Sequence, residues 1–253
     1  MVRAGKLGFW MRLAEVLVRP FLWVFTKPEW HGQENVPASG PAILVFNHIS
    51  YADPFVAAHF VFDRPRELRF LGKASLFRIP IGGHILRQIH QIPVHRHSTD
   101  AVKALESAIA ALDRGEAIVI YPEGTCTKEP DLWPMRGRTG VARLALLTGA
   151  PVIPIVQWGA QHLHHPITRK LRLRPRTPVT VSAGPPVDLT AFAGRPTSAT
   201  ETLHDVTDVI MYRLRDDVAA LRGEPAPTGP LFEPPPKPRK HPPTSTSAPE
   251  VSP

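Results

Sequence analysis

A histidine and an aspartate stand five positions apart in VFNHISYADP, residues 45–54 of the chain. If the turn between them brings the carboxylate of Asp53 back to the imidazole of His48, it fixes the tautomer of the ring and stabilises the imidazolium that forms when His48 takes a proton. The pair would then act as a general base and its orienting partner. The alternative is that Asp53 only caps a helix that Pro54 opens and that His48 is a loop residue.

The stretch contains no obvious nucleophile for such a base. Ser50 is too close in sequence to be a triad serine, and the pattern Gly-x-Ser-x-Gly does not occur in the chain. A hydroxyl group of the substrate is therefore the simpler nucleophile.

A second polar segment, YPEGTCTK at residues 121–128, follows the apolar run IVI. We expect Glu123, Gly124 and Thr125 to form a turn that presents backbone amides and a hydroxyl group at the end of a strand. The carboxylate could bind the hydroxyl groups of a polyol acceptor or steady the base. An ordinary strand-to-loop turn is the alternative interpretation.

Cations form a third group of candidate site residues. Lys73 and Arg96 follow predicted strands, and Arg136 and Arg138 lie at the start of a predicted helix. Guanidinium groups, ammonium groups and helix amides that converge in this way bind phosphate monoesters. Scattered surface charge is the alternative for any one of the four.

A histidine cluster in QHLHHP, formed by His162, His164 and His165, is dense enough to suggest metal ligands. No cysteine or nearby carboxylate completes such a site, so we predict a polar loop and no metal.

The elements that must position these residues follow from the apolar pattern. Short runs rich in branched and aromatic residues predict strands at 42–46, 68–71, 92–95, 117–121, 152–156 and 179–182. Amphipathic stretches predict helices at 54–62, 99–114, 139–148 and 199–222. The alternation predicts an α/β fold in which helices cover the faces of a sheet.

The 253 residues, 43% of them hydrophobic, suffice for one sizeable core, which we assign to residues 30–222. Residues 223–253 hold 11 prolines in 31 positions and predict a disordered or polyproline-like tail. Residues 1–29 form a separate N-terminal segment. This segment contains Trp10 and Trp23, and Trp30 follows directly after it. The tryptophans are interleaved with Arg and Lys, which is typical of a helix in the membrane interface.

Charge and cysteine content limit the partners and the compartment. The net charge of +8 indicates an anionic partner, which could be a nucleic acid, an anionic membrane or a phosphorylated small molecule. No nucleic-acid-binding motif accompanies the charge, so we expect no nucleic acid partner. Cys126 is the one cysteine, which excludes an intrachain disulfide and fits the cytosolic side of a membrane.

Four blocks together resemble the glycerolipid acyltransferase superfamily: NHISYADP, GKASLFRIP with IPVHR, YPEGTCTK and PVIPIV, in this order over about residues 30–186. The resemblance is closest to bacterial 1-acyl-sn-glycerol-3-phosphate acyltransferases. It implies a mixed sheet flanked by helices, as in glycerol-3-phosphate acyltransferases. It also implies transfer of an acyl group from acyl-CoA or acyl carrier protein to the 2-hydroxyl of lysophosphatidic acid, giving phosphatidic acid, without a cofactor.

The resemblance also implies roles for individual residues. His48 is the general base and Asp53 its charge partner, while Arg96 binds the phosphate. The remaining substrate-binding positions are Asn47, Lys73, Glu123, Gly124 and Thr125, to which the residue types add Arg136 and Arg138. The enzyme would be peripheral or monotopic on the cytoplasmic face of the cell membrane, where a lysolipid acceptor and a soluble donor meet.

Cys126 departs from the family pattern, which has Arg or Ser after Pro-Glu-Gly-Thr. The change leaves open another acceptor, such as a different lysophospholipid or a lipid-linked sugar. A non-catalytic lipid-binding protein and a hydrolase that activates water are further alternatives.

Overall fold

The computed structural model describes residues 9–62, 66, 68–94 and 100–235. These residues form one mixed sheet with helices on both faces, which confirms the predicted fold class. The α-helices are α1 (Phe9–Phe25), α2 (Asp53–Phe62), α3 (Pro80–Gln88), α4 (Asp100–Asp113), α5 (Gly140–Thr148) and α6 (Thr200–Arg222). The strands are β1 (Thr26–His31), β2 (Ala42–Phe46), β3 (Leu68–Lys73), β4 (Ile92–Val94), β5 (Ala117–Ile120), β6 (Val152–Trp158) and β7 (Thr177–Ala183).

The strand order is β1-β7-β6-β2-β5-β3-β4. The five strands from β6 to β4 run parallel, β7 is antiparallel to β6, and β1 is parallel to β7. Every residue of β2 is buried because helices cover both faces of this central strand, as its continuous apolar sequence requires. The parallel strands all end on one side of the sheet, which we call the carboxyl end.

Two apolar cores lie on opposite faces of the sheet. Ile43 and Val45 of β2 belong to the core that includes α4, α5 and α6. Ala42, Leu44 and Phe46 belong to the other core, which includes α2. The alternation along β2 therefore ties both layers to the strand that leads into VFNHISYADP.

The observed elements agree with the predicted ones except in four places. The structure adds α3 and β1, which sequence patterns did not indicate because α3 contains a proline and two glycines and β1 reads TKPEWH. Because β1 begins at Thr26 and pairs with β7, the predicted domain boundary at residue 30 falls inside a strand. Residues 223–235 of the predicted tail belong to the described residues, and Phe232 among them forms a β-bridge with Met135. Residues 236–253 lie outside the described residues.

Helix α1 carries an exposed apolar surface. Its only buried residue is Leu22, whereas Val16, Leu17, Phe21, Trp23 and Val24 are all about half exposed or more. Trp30, by contrast, packs edge-on against His59 and Phe60 and belongs to the fold rather than to this surface. Within the described residues, no helix has the length and apolar character needed to cross a bilayer.

We predict that Gly32→Ala destabilises the fold by about 2–5 kcal/mol. Gly32 has φ of +66°, and a Cβ atom there would lie 2.0 Å from the carbonyl oxygen of Ala183. Gly40→Ala is the matched control, since Gly40 also has positive φ, +79°, but no atom within 4 Å of an added Cβ. The control is expected to lose only about 1–2 kcal/mol. Urea unfolding measures both, and equal losses would contradict the steric argument.

Candidate active site

The two polar segments meet at the carboxyl end of the sheet. Strands β2 and β5 pair in parallel with Val45 opposite Ile120, so the residues that follow each strand leave the sheet side by side. The backbone N–H of His48 donates to Oε1 of Glu123 over 2.9 Å, and the carbonyl of His48 accepts from the N–H of Thr127 over 2.7 Å. His48 is thus held from both sides by the segment that follows β5.

One oxygen of Asp53 organises the turn that carries His48. Oδ2 accepts from Nδ1 of the imidazole over 2.8 Å and from the backbone N–H groups of Ile49 and Ser50 over 2.6 and 2.7 Å. A carboxylate that accepts from Nδ1 leaves Nε2 unprotonated and able to take a proton. The carboxylate of Asp53 bonds the residues before its own helix, so it does more than cap α2.

The environment of the pair suits a base and its partner. The side chain of Asp53 is fully buried, whereas 14% of the His48 side chain is exposed. Burial raises the pKa of Asp53 above its ordinary value, and the hydrogen bond and charge of His48, together with the two backbone donors, act against that rise. Protonation of the imidazole would therefore place a compensating positive charge next to the buried carboxylate.

Glu123 has a structural role in this arrangement, as a buried carboxyl group. Oε1 accepts from His48, and Oε2 accepts from the backbone N–H of Met135 over 3.1 Å. The residue is 4% exposed, and burial raises its pKa to about 8. Both oxygens accept from backbone donors, so Glu123 joins two segments of the chain and steadies the base. It does not offer a free oxygen to the hydroxyl groups of a substrate, which was the other role that we considered.

Asn47 was expected to contact the substrate, but its side chain contacts the backbone of Gln157 instead. Its side chain is fully buried; Nδ2 donates to the carbonyl of Gln157 over 3.1 Å and Oδ1 accepts from its N–H over 2.8 Å. The side chain of Gln157 returns a bond to the carbonyl of Asn47 over 3.0 Å. Asn47 therefore continues the pairing of β2 with β6 by one residue and fixes where the chain turns toward His48.

Tyr121 is a site residue that sequence reasoning missed. Its ring lies against the imidazole of His48 with the centroids 4.4 Å apart and the planes at 32°. Burial, and then the negative charge of Asp53, raise the pKa of Tyr121 well above its ordinary value, so the phenol is neutral. The side chain of Gln157 acts against this rise in the pKa of Tyr121. The polar Gln157 in the apolar strand VIPIVQW was the available signal.

Cys126 touches the imidazole but is poorly placed to exchange a proton with it. Its sulfur lies 3.5 Å from Nε2 and 3.7 Å from Nδ1 of His48. The ring nitrogens point away from each other in the plane, so an atom almost equally far from both lies off the hydrogen-bonding direction of each. Cys126 is also 5% exposed, which favours a packing role over that of a nucleophile.

The cations are only partly brought together. Arg138 crosses the Glu123 turn: its Nε would lie 2.8 Å from a Cβ atom added at Gly124, whose φ is +69°. Lys73 is exposed at the end of β3, two strands from β2. Arg136 is exposed and pairs with Glu233 over 3.2 Å. Arg96, the predicted phosphate ligand, lies outside the described residues.

Thr125 is half buried and directly follows Gly124.

The three histidines of the predicted polar loop, His162, His164 and His165, lie in the segment that follows β6. His164 contacts Tyr51 edge-on with the ring centroids 5.1 Å apart, and its carbonyl accepts from the hydroxyl of Ser50. Over the described ranges, no three side chains of His, Cys, Asp or Glu are grouped so that they could hold a metal. The site can therefore be described as an oriented base beside a turn that carries a cation.

A protein-family model described as "Acyltransferase" matches residues 27–158, which include both polar segments. Among solved structures, the chain resembles the crystal structure of the 1-acyl-sn-glycerophosphate (LPA) acyltransferase PlsC from Thermotoga maritima. That match has a TM-score of 0.61 and 27% sequence identity and covers 85% of this chain and 81% of the other.

Curated relatives carry related names. A 1-acyl-sn-glycerol-3-phosphate acyltransferase from Borreliella burgdorferi is 31% identical over 164 residues, which is 64% of this chain and 59% of that protein. The chloroplastic 1-acyl-sn-glycerol-3-phosphate acyltransferase BAT2 of Brassica napus is 29% identical over 140 residues, which is 54% of this chain and 39% of that protein. The chain therefore spans less than two thirds of the length of these two relatives.

We predict that Glu123→Gln destabilises the protein by about 1–3 kcal/mol at pH 5, because an amide nitrogen cannot accept from the second backbone N–H. The loss depends on pH. The pKa of Glu123 rises from 4.5 to about 8 on folding, so its contribution to stability is complete below pH 4.5 and is lost as the pH rises through 8. The stability gap between wild type and variant should narrow from pH 5 to pH 8.

Urea unfolding across this pH range measures the gap. Glu34→Gln is the matched control, since Glu34 is exposed and its loss removes the same charge without a buried bond. A gap that stays constant for Glu123→Gln would show that Glu123 is already ionised throughout the range.

Proposed function

The chain belongs to the acyltransferase family, and we propose that it transfers a fatty acyl group from a thioester donor to the 2-hydroxyl of 1-acyl-sn-glycerol-3-phosphate, giving phosphatidic acid. The observation that carries this proposal is the imidazole of His48, whose Nδ1 is held by a buried carboxylate and whose ring is partly exposed. Such a ring can take a proton from an alcohol but has no role in simple lipid binding.

The proposed reaction is direct transfer. Nε2 of His48 takes the proton of the acceptor hydroxyl while the oxygen attacks the carbonyl carbon of the thioester. The carbonyl oxygen carries the developing negative charge until the carbon–sulfur bond breaks, and the leaving sulfur then takes the proton from the imidazolium. Asp53 holds the ring in one tautomer through these steps and stabilises its cationic form.

The acceptor and donor are inferred from chemistry around the base. Arg138 packs over Gly124, within the turn that Glu123 anchors to His48, and is the candidate cation among the described residues that lies at this turn and could meet a phosphate. The names of the relatives support lysophosphatidic acid as acceptor. We propose acyl-CoA or acyl carrier protein as the donor, and another lysolipid or a lipid-linked sugar as the alternative acceptor, because Cys126 changes the surroundings of His48.

Product analysis by mass spectrometry tests this proposal. Purified protein in liposomes receives palmitoyl-CoA or oleoyl-CoA and a panel of lysolipids that includes lysophosphatidic acid. We expect phosphatidic acid as the main product, and a loss of at least about 10³-fold in rate for His48→Ala, since a positioned base contributes about 10²–10⁴-fold. Cys126→Ser is the matched control at the same imidazole and should keep most of the activity.

Three outcomes would contradict parts of the proposal. Free fatty acid as the product would indicate a hydrolase, and a different acylated lipid would indicate another acceptor. Activity that survives in His48→Ala but is lost in Cys126→Ser would replace the general base with a thiol nucleophile.

For the location of the protein, we propose a peripheral or monotopic position on the cytoplasmic face of the cell membrane. The support is the exposed apolar surface of α1, together with Leu76, Ile79 and Ile81, which are exposed on the neighbouring turn and α3. Helix α1 packs against α3 through Trp10 and His84, whose ring centroids are 5.2 Å apart. Two parts of the chain thus contribute to one apolar surface, and the net charge of +8 favours an anionic leaflet.

We predict that Leu17→Ser lowers partitioning onto vesicles of phosphatidylglycerol and phosphatidylcholine by about tenfold, because burial of a leucine side chain contributes about 1.5–3 kcal/mol. Vesicle flotation measures the bound fraction. Leu171→Ser is the control, since Leu171 is 62% exposed, close to the 59% of Leu17, but lies in the loop that follows β6. Equal effects of both changes would contradict the assignment of this surface to α1.

A further inference from the structure

A cationic loop lies between β6 and β7. Residues 167–176, ITRKLRLRPR, are all exposed, and the chain contains no Asp or Glu from residue 132 to residue 187. No side chain of the loop's cations forms an ion pair, a hydrogen bond or a ring contact within the described part of the chain. The five cations are Arg169, Lys170, Arg172, Arg174 and Arg176.

The topology places this loop at the end of the sheet where His48 stands. Strand β6 is parallel to β2, and β7 is antiparallel to β6, so the connection from β6 to β7 lies at the carboxyl end. The hydroxyl of Ser50 donates to the carbonyl of His164 over 2.9 Å, and His164 forms a β-bridge with Leu171. The loop is therefore attached to the turn that carries the base.

The loop also meets the end of α1. The backbone N–H of Arg176 donates to the carbonyl of Val24 over 2.9 Å, and Val24 is 54% exposed in the last turn of that helix. The next residue, Thr177, pairs with Thr26 at the start of β1. The cationic loop thus borders the apolar surface of α1. Apolar and cationic surfaces side by side suit a lipid interface, where cations meet phosphates and apolar side chains enter the acyl boundary.

The order of residues in the loop favours contact through charge. Lys170, Arg172 and Arg174 alternate with Leu171 and Leu173. Alternate residues of an extended segment lie on opposite sides, so we expect the three cations to share one side and the two leucines the other. The loop then meets a membrane at the level of the head groups, and Leu171 does not enter the acyl region.

We propose that residues 169–176 bind the head groups of anionic phospholipids beside the apolar surface of α1. The inference deepens the proposed membrane position and does not depend on the identity of the acyl acceptor. An anionic leaflet attracts each Lys or Arg that comes near its surface. A row of exposed cations suits such an extended surface better than a small phosphorylated ligand, which needs a concave site.

Vesicle flotation of the full chain tests the proposal. Vesicles of phosphatidylcholine with phosphatidylglycerol are compared with vesicles of phosphatidylcholine alone. We expect Lys170→Gln combined with Arg172→Gln to lower binding to the anionic vesicles about 30-fold, since each cation near such a surface contributes about fivefold. Binding to the neutral vesicles should not change. Raised salt should remove the difference from wild type, because salt screens exposed charges.

Lys103→Gln combined with Arg143→Gln is the matched control. It removes the same charge from α4 and α5, which lie on the opposite face of the sheet from α2. Equal loss in this control would reduce the effect to net charge and overturn the proposal, as would unchanged binding of the loop variant. Thermal unfolding of each variant shows that the fold is retained.

The remaining outcomes separate the loop from the other proposals. Leu17→Ser should lower binding to both kinds of vesicle, and a wild-type chain that binds only anionic vesicles would contradict the apolar surface while supporting the loop contact. A chain that binds no vesicles would overturn both. A loop variant that binds vesicles normally but loses transfer from acyl carrier protein would assign the loop to an acidic protein and overturn the proposal.

A kinetic comparison separates the loop from the catalytic groups. We expect the loop variant to transfer acyl groups more slowly than wild type on anionic vesicles and at the wild-type rate in neutral detergent micelles. An equal loss in both would show that the loop acts on the site itself and would overturn the proposal. A chain that needs the loop for flotation but transfers no acyl group would contradict the proposed function and support the lipid contact.

Discussion

Two carboxyl groups removed from water hold this site together. Asp53 gathers the imidazole and two backbone N–H groups on one oxygen, and Glu123 joins the backbone of His48 to that of Met135. Burial of a carboxyl group costs free energy that hydrogen-bond donors offset, so the donors to Oδ2 of Asp53 and to both oxygens of Glu123 fix the shape of the surrounding backbone. The position of the base is therefore set by bonds between the loops that leave β2 and β5, while the sheet only brings those loops together.

The sheet was predictable because its signal is local and repeated. The run at residues 42–46 is apolar at every position, and β2 has these same bounds. The contact between Asp53 and His48 was one of two interpretations of the sequence, since an aspartate before a proline also predicts a helix cap, and the structure shows the contact. The role of Glu123 could not be predicted, because the same sequence is compatible with a side chain that binds backbone N–H groups and with one that binds a substrate. Strand β1 was not predicted, because this edge strand is mostly exposed, contains a proline and has no apolar run.

The base and the exposed apolar surface belong to different parts of one topology. The imidazole of His48 stands where β2 ends, at the carboxyl end of the parallel strands. The apolar surface is formed by α1 together with the turn Ala74–Arg78 that follows β3, where Leu76 is exposed.

The junction of α1 and β1 fixes the direction in which α1 presents its apolar face. Helix α1 ends at Phe25 and β1 begins at Thr26 with no intervening loop, and the hydroxyl of Thr26 bonds back to the carbonyl of Leu22 over 2.7 Å. Because no loop separates the two elements, the direction of the apolar face of α1 follows from the direction of β1. Insertion of a single residue before Thr26 would rotate this face by about 100°. We therefore expect the length of the segment to matter more than the identity of its apolar residues, since one extra residue would turn the whole face away.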